Sequence, residues 1–214
     1  MLVKRLTTAP RALLDPDAAE WAAAPEEALA LAGTPAAGQV SRYVRSAWKD
    51  REIGAVKEVR VRAAHDGQSV FFRLEWQDAA EDRAHVEGSF PDAAALLFPL
   101  DGEAPLSMGS PDHPVNAWYW RPDLEETPQN LTARGRGTVK NDVDVGILAR
   151  SARGDGVWKL VLARALRSAA GGAAVDLLPG AKTSIAVAVW DGGAGERAGL
   201  KAFSQSWREL SVET

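Results

Sequence analysis

The sequence predicts a mainly β protein: an antiparallel β-sandwich with a few short helices in its connections. Three observations predict it. Apolar and polar residues alternate with period two in several separate stretches. Those stretches are bounded by Gly, Pro and Asp clusters, which supply turn geometry. Helical periodicity is scarce by comparison.

Taken in chain order, residues 15–31 (DPDAAEWAAAPEEALAL) carry the main helical signal. Asp15-Pro16 suits a helix start, and Pro25 interrupts the run. Residues 56–76 (VKEVRVRAAHDGQSVFFRLEW) alternate on both sides of Asp66-Gly67, a dipeptide that accepts the positive φ of a tight turn; this predicts a hairpin. Residues 93–100 (AAALLFPL) form a short apolar run that ends at a proline and a leucine. Residues 155–166 (DGVWKLVLARAL) repeat the turn-then-alternation pattern. Residues 183–193 (TSIAVAVWDGG) predict a nearly all-apolar strand closed by a turn, and residues 200–213 alternate again. No fixed repeat and no long linker divides the chain, so residues 1–214 are expected to form a single domain.

A chain of 214 residues can bury a sizeable core. Its net charge of −4 leaves no overall basic footprint for nucleic acid, and no run approaches the length of a membrane span. It has no cysteine, which excludes disulfides, thiolate zinc sites, iron–sulfur clusters held by this chain and thioether-attached haem. The first residues lack an apolar signal-peptide core. The expectation is a protein that stays in the cytoplasm, travels with an exported partner, or has lost its leader.

Catalytic motifs are missing. His65, His85 and His113 have no metal-ligand spacing, and His65 and His85 are expected on the surface. The carboxylates Glu125, Glu126, Asp142 and Asp144 sit in polar loops where solvation is their expected role. No nucleophile elbow or phosphate-cradling loop is present. Met108 stands out as the only methionine after the first residue. It lies in a Gly/Ser/Pro-rich loop just ahead of Trp118-Tyr119-Trp120. A thioether is a soft ligand that haem iron uses, and it is equally a common packing partner of aromatic rings. Lys182 opens the most apolar strand, sharing a face by twos with Ser184, Ala186, Ala188 and Trp190. It is either a lysine snorkelling at a strand end or an amine whose pKa a site could lower.

The segments SMGSPDHPVNAWYWRPD and IAVAVWDGGAGERAGLKAFSQSW, with LLDPDAAEW and VRVRAAHDGQSVFFRLEW, resemble the haem b-binding γ subunits of ethylbenzene dehydrogenase and its relatives. Those relatives include dimethylsulfide dehydrogenase, selenate and chlorate reductases and steroid C25 dehydrogenases. The resemblance implies one haem b in the β-sandwich, with methionine and lysine as axial ligands. Met108 matches the methionine of the Met-Gly loop. Lys182 is favoured as the lysine, with Lys201 of GERAGLKAFS as its competitor. The family also implies a non-catalytic electron-transfer role in an αβγ heterotrimer. There the α subunit holds the molybdenum cofactor, the β subunit holds iron–sulfur clusters, and a soluble cytochrome c or similar carrier exchanges electrons with the complex. The expected location is the periplasm, reached together with the α subunit. The competing expectation is a haem-free β-sandwich module that binds carbohydrate or another small ligand on a tryptophan platform.

Overall fold

The computed structural model describes residues 1–7, 10–86, 89–124 and 127–214. Glu125 and Glu126, two of the loop carboxylates, lie outside the described residues. The chain opens with β1 (Leu2–Arg5), α1 (Pro10–Leu14) and a 3-10 turn over Ala19–Ala23, then β2 (Glu26–Gly33) and α2 (Arg42–Ala47). The hairpin of β3 (Glu58–His65) and β4 (Ser69–Gln77) follows, then β5 (Ala93–Pro99), β6 (Val115–Trp120), β7 (Gln129–Ala133) and β8 (Lys140–Asn141). A second hairpin joins β9 (Leu148–Gly154) to β10 (Val157–Ala165). The chain finishes with β11 (Lys182–Trp190), β12 (Ala202–Ser204) and β13 (Arg208–Val212).

These strands make the predicted sandwich. One layer runs β9-β10-β4-β3-β2, all antiparallel. It continues through β1, which lies parallel to both β3 and β13. The other layer runs β8-β7-β6-β5-β11-β12-β2. Two strands belong to both layers. The first half of β11, Lys182 to Ile185, pairs with β13, and its second half, Ala186 to Trp190, pairs with β5. β2 changes partner in the same way, from β3 to β12. Between the layers Val61, Phe72, Leu74, Trp158 and Leu160 of one meet Leu96, Phe98, Trp118 and Trp120 of the other.

Both predicted hairpins form, and Asp155 and Gly156 supply the two positive φ values (52° and 72°) of the second turn. The helix expected over residues 15–31 does not form. Its first half is the short 3-10 turn and its second half is β2. Pro25 breaks the helical register, and Glu-Glu-Ala-Leu-Ala-Leu beyond it finds hydrogen-bonding partners in β3 and β12, which outweigh alanine's helix propensity. The alternation of residues 200–213 divides into β12 and β13, which serve different layers.

His65 is not a surface residue. It is fully buried beneath β1, in register with Arg5, and its Nε2 lies 2.9 Å from the Glu213 carbonyl. The parallel strand β1 covers it, and that is a pairing between distant segments which local sequence does not reveal. His85 is exposed, as expected.

Candidate functional site

The outer face of the second layer carries a mostly apolar cleft of about 640 Å³. Alternation along the strands makes its floor. In β5, β6 and β11 the large residues Leu96, Phe98, Trp118, Trp120, Val187 and Val189 turn into the core. The opposite face is therefore left to Ala95, Ala117, Ala186 and Ala188. Register brings these small residues side by side: Ala188 pairs with Ala95, and Leu97 lies between Ala186 and Ala117. Four alanines in two neighbouring rows leave a shallow recess over a sheet. Tyr119, Trp190 and Phe203 border it, with Tyr119 edge-on to Trp190 at 5.4 Å. Of the Trp118-Tyr119-Trp120 cluster, only Tyr119 reaches the cleft; the two tryptophans are core residues.

Met108 enters this cleft from the loop before β6. Its backbone is left-handed, with φ of 77°, a conformation that costs a non-glycine residue about 1–2 kcal/mol. The surrounding loop imposes it. Gly109 donates to the Pro105 carbonyl and Gly135 donates to the Met108 carbonyl, each at 2.8 Å. Gly109 is itself left-handed at 72°, and a Cβ there would come within 2.7 Å of the His113 carbonyl oxygen. The Met-Gly pair is thus a tight backbone device, braced by Trp207, whose Nε1 donates to the Ala104 carbonyl at 2.8 Å. The half-buried Met108 side chain packs with Ala104, Val115, Ala133, Leu97 and Trp207.

Lys201 reaches the same point from the turn before β12. Its amine lies 3.9 Å from the Met108 sulfur and 5.0 Å from the centre of the Trp190 ring. Among the described residues no ion pair includes it. Burial pushes its pKa down to about 8, because removal from water penalises the charged form. The turn is fixed from below. Thr34 donates its N–H to the Lys201 carbonyl at 2.9 Å and its hydroxyl to the Gly199 carbonyl at 2.7 Å. The Gln39 amide also donates to Gly199, at 3.0 Å, and Trp190 Nε1 donates to the Ala198 carbonyl at 3.0 Å.

Lys182 lies elsewhere. It is exposed at the first position of β11, opposite Ser211, in the half of the strand that belongs to the other layer. Ala186, the first residue of β11 on the cleft floor, is four residues further, about 13 Å along a strand. His113 stays outside the cleft and pairs with Asp101 at 2.6 Å, whose hydrogen bond and charge raise the imidazole pKa. Arg136, Arg197, Gln39 and Ser41 are polar residues at the cleft; Arg136 donates to the Gly38 carbonyl at 3.2 Å and Arg197 to the Gly195 carbonyl at 3.1 Å. Sequence reasoning did not single out the segment from Thr34 to Val44 that forms one wall. It has no period, and its role depends on contact with the turn before β12. The alternating small residues of IAVAVW were the signal for the floor.

Fold and site together define a β-sandwich whose outer sheet face holds an apolar cleft, with a thioether and a desolvated amine brought together inside it. The sequence pattern of the ethylbenzene dehydrogenase family matches residues 18–147, and the chain belongs to that family. Chlorate reductase subunit gamma of Ideonella dechloratans is 34% identical over 214 residues, covering 98% of this chain and 84% of that one. Dimethylsulfide dehydrogenase subunit gamma of Rhodovulum sulfidophilum is 28% identical over 205 residues, 90% of this chain and 73% of its own length. A Haloferax mediterranei protein named for a respiratory nitrate reductase haem subunit is 36% identical over 155 residues; the match takes in 71% of this chain and spans 55% of that protein. Among solved structures, a family 9 carbohydrate-binding module of Caldicellulosiruptor kristjanssonii in complex with glucose superposes with a TM-score of 0.55 over all of this chain and 95% of the module. At 7% identity that likeness concerns the fold alone. Among the described residues no helix is long and apolar enough to cross a membrane.

Proposed function

We propose that this chain is the haem b-binding electron-transfer subunit of a molybdenum oxidoreductase complex, with Met108 and Lys201 as the axial ligands. The observation that carries the proposal is the 3.9 Å approach of the Met108 sulfur to the Lys201 amine over an apolar sheet face. A metal ion with bonds of about 2.3 Å to sulfur and about 2.0 Å to nitrogen, the lengths zinc uses, could be held by both donors with little movement of either side chain. A planar macrocycle also suits a floor of Ala95, Ala117, Ala186 and Ala188 bordered by aromatic rings. The lowered pKa of Lys201 makes its neutral, ligating form accessible near neutral pH. These features support Lys201 over Lys182, the lysine favoured by sequence resemblance, because Lys182 faces water in the other layer.

A bound haem b supplies a one-electron ferrous/ferric couple. The protein's own residues do the rest. Met108 and Lys201 would hold the iron, and with both donors engaged the group would supply electron transfer rather than oxygen or substrate binding. The thioether would favour its reduced state and the amine would oppose it, while Tyr119, Trp190 and Phe203 border the cleft with apolar surface. Besides Lys201, Arg136 and Arg197 are cationic groups lining the cleft, and they would meet the haem carboxylates. The relatives named as γ subunits support a place in a larger complex. The proposal takes a molybdenum α subunit, an iron–sulfur β subunit and a soluble cytochrome c as its partners. Periplasmic location, with export alongside the α subunit, is part of the same proposal, and fractionation of cells that make the complex tests it.

The visible spectrum is the direct test. The purified chain or complex should show a low-spin b-type spectrum whose haem extracts into acidified organic solvent. Met108→Ala and Lys201→Ala should each turn it high-spin or lose the haem, and Lys182→Ala should leave it unchanged. If Lys182→Ala disturbs the spectrum and Lys201→Ala does not, the ligand assignment is wrong. A colourless protein in an intact complex overturns the haem proposal itself. The carbohydrate-module alternative gains little from the tryptophans. Seven of the eight are buried, so they offer no exposed stacking platform.

A further inference from the structure

A second constellation lies at one end of the sandwich, and the proposed haem role does not use it. Asp78 follows β4, Asp92 precedes β5 and Asp191 follows β11. One carboxylate oxygen of each lies within 4.8 Å of the others. Asp92 is fully buried and Asp78 is 4% exposed. Asp78 Oδ1 accepts from the Ala80 N–H at 3.1 Å, but its buried Oδ2 has no hydrogen-bond partner. Asp82 Oδ2 is also buried without a partner, and it lies beside the same turn, 2.7 Å from where a Gly193 Cβ would be. Among the described residues no ion pair includes any of these four aspartates. The nearby Arg153 donates instead to the backbone carbonyls of Asp78 and Ala80, each at 2.8 Å.

Three buried or half-buried carboxylates at this spacing repel one another strongly in a medium of low dielectric. Something must neutralise them. We propose that Asp78, Asp92 and Asp191 hold a hard divalent cation of the calcium class, with Asp82 beside them as a further oxygen donor. The donor set is all oxygen, with no imidazole or thiolate, which selects Ca²⁺ or a similar hard ion over transition metals. Oxygens bound to one Ca²⁺ at about 2.3–2.6 Å lie no more than about 5 Å apart, and the observed cluster falls inside that limit.

The carboxylates are also pre-set for such a ligand. Asp92 Oδ2 accepts from Asp82 N–H and Trp158 Nε1, each at 3.0 Å, and Asp92 Oδ1 accepts from Gly192 N–H at 2.9 Å. A carboxylate has about four acceptor sites, so one remains free. Asp191 Oδ1 accepts from Ala194 N–H at 2.8 Å. The loops holding these groups pack backbone to backbone. A Cβ on Gly192 would fall 1.6 Å from the Phe90 carbonyl oxygen, which only glycine avoids. The cation would staple the ends of β5 and β11 at the register pair Ala93–Trp190, and Trp190 borders the cleft.

The rival arrangement is a proton kept on Asp78, whose pKa burial first, and Asp92 and Asp191 second, raise to about 7. The two are separated by titrating the full chain, stripped with EDTA, with CaCl₂ and with Tb³⁺. The proposal expects one Ca²⁺ per chain and a Tm about 5 °C or more higher at a hundredfold excess over Kd. It also expects Tb³⁺ emission sensitised by Trp158, which sits against Asp92. Asp78→Asn and Asp191→Asn should keep the far-UV spectrum of the parent and lose both responses. Asp92→Asn is a poor test because three hydrogen bonds depend on that side chain. A parent protein with equal Tm in CaCl₂ and EDTA and no sensitised emission overturns the site. So does a parent that binds Ca²⁺ while both Asn variants bind it as tightly.

Discussion

Met108 is held with φ at 77°, in a region that methionine rarely visits. A methionine that only filled a gap could do so from relaxed backbone, so the strain points to a fixed purpose for the sulfur. Lys201 carries a comparable cost as a buried amine. Its pKa is near 8 in the fold and about 10.5 when unfolded. Between those values the unfolded chain holds a proton that the folded chain has released. Stability of the haem-free chain should therefore rise as pH climbs from about 8 to 10.5. Lys201→Met should remove that rise and stabilise the haem-free chain at pH 7 by roughly 1–3 kcal/mol; urea melts across the range check both. His65 acts with the same sign in a more acidic window. Burial, the largest influence, lowers its pKa below 6.5. Below 6.5 the unfolded chain gains a proton that the fold resists, so stability should decline as pH falls. A His65→Gln variant should show a flatter acid limb in the same melts.

At the scale of elements, the cleft is a consequence of period two. In β5, β6 and β11 Leu96, Phe98, Trp118, Trp120, Val187 and Val189 turn inward and Ala95, Ala117, Ala186 and Ala188 turn outward, and the register gathers those alanines in one place. Ala188→Leu should fill the recess beside Ala95 and Trp190 without entering the core between the two layers. Haem uptake, measured as bound haem per chain, should fall severely, with far-UV dichroism unchanged. If Ala188→Leu takes up haem normally, the recess is not where the macrocycle lies. Gly109→Ala belongs to the same scale. Its left-handed φ and the 2.7 Å approach to the His113 carbonyl should cost about 1–2 kcal/mol or more in denaturant unfolding. It should also weaken haem binding by displacing Met108.

At the scale of the molecule, β2 and β11 tie the layers together, and β1 closes the first layer between β3 and β13. Val3, in the middle of β1, is fully buried. Val3→Ala should destabilise the whole fold by about 1–3 kcal/mol, read as a lower denaturation midpoint with unchanged slope. The sharing of β11 also explains why Lys182 and Lys201 differ. They flank one strand and its return, yet the strand carries Lys182 into one layer while the chain brings Lys201 back beneath Met108. The acidic cluster likewise brings the end of β11 to the connection between the consecutive strands β4 and β5.

The sequence by itself determined the fold class, both hairpins, the apolar strand of residues 183–193 and the prominence of Met108. These depend on local alternation, turn chemistry and a resemblance carried by contiguous motifs. It did not determine which lysine meets that sulfur, since Met108 and Lys201 are 93 residues apart and meet only through the pairing of β11 with β5 and β12. It also misjudged residues 26–33, where strand partners outweighed helix propensity, and His65, which a parallel strand from the start of the chain covers. In each case the deciding contacts join distant segments. Period two says which face a residue takes, but only the assembled sheets say what that face meets.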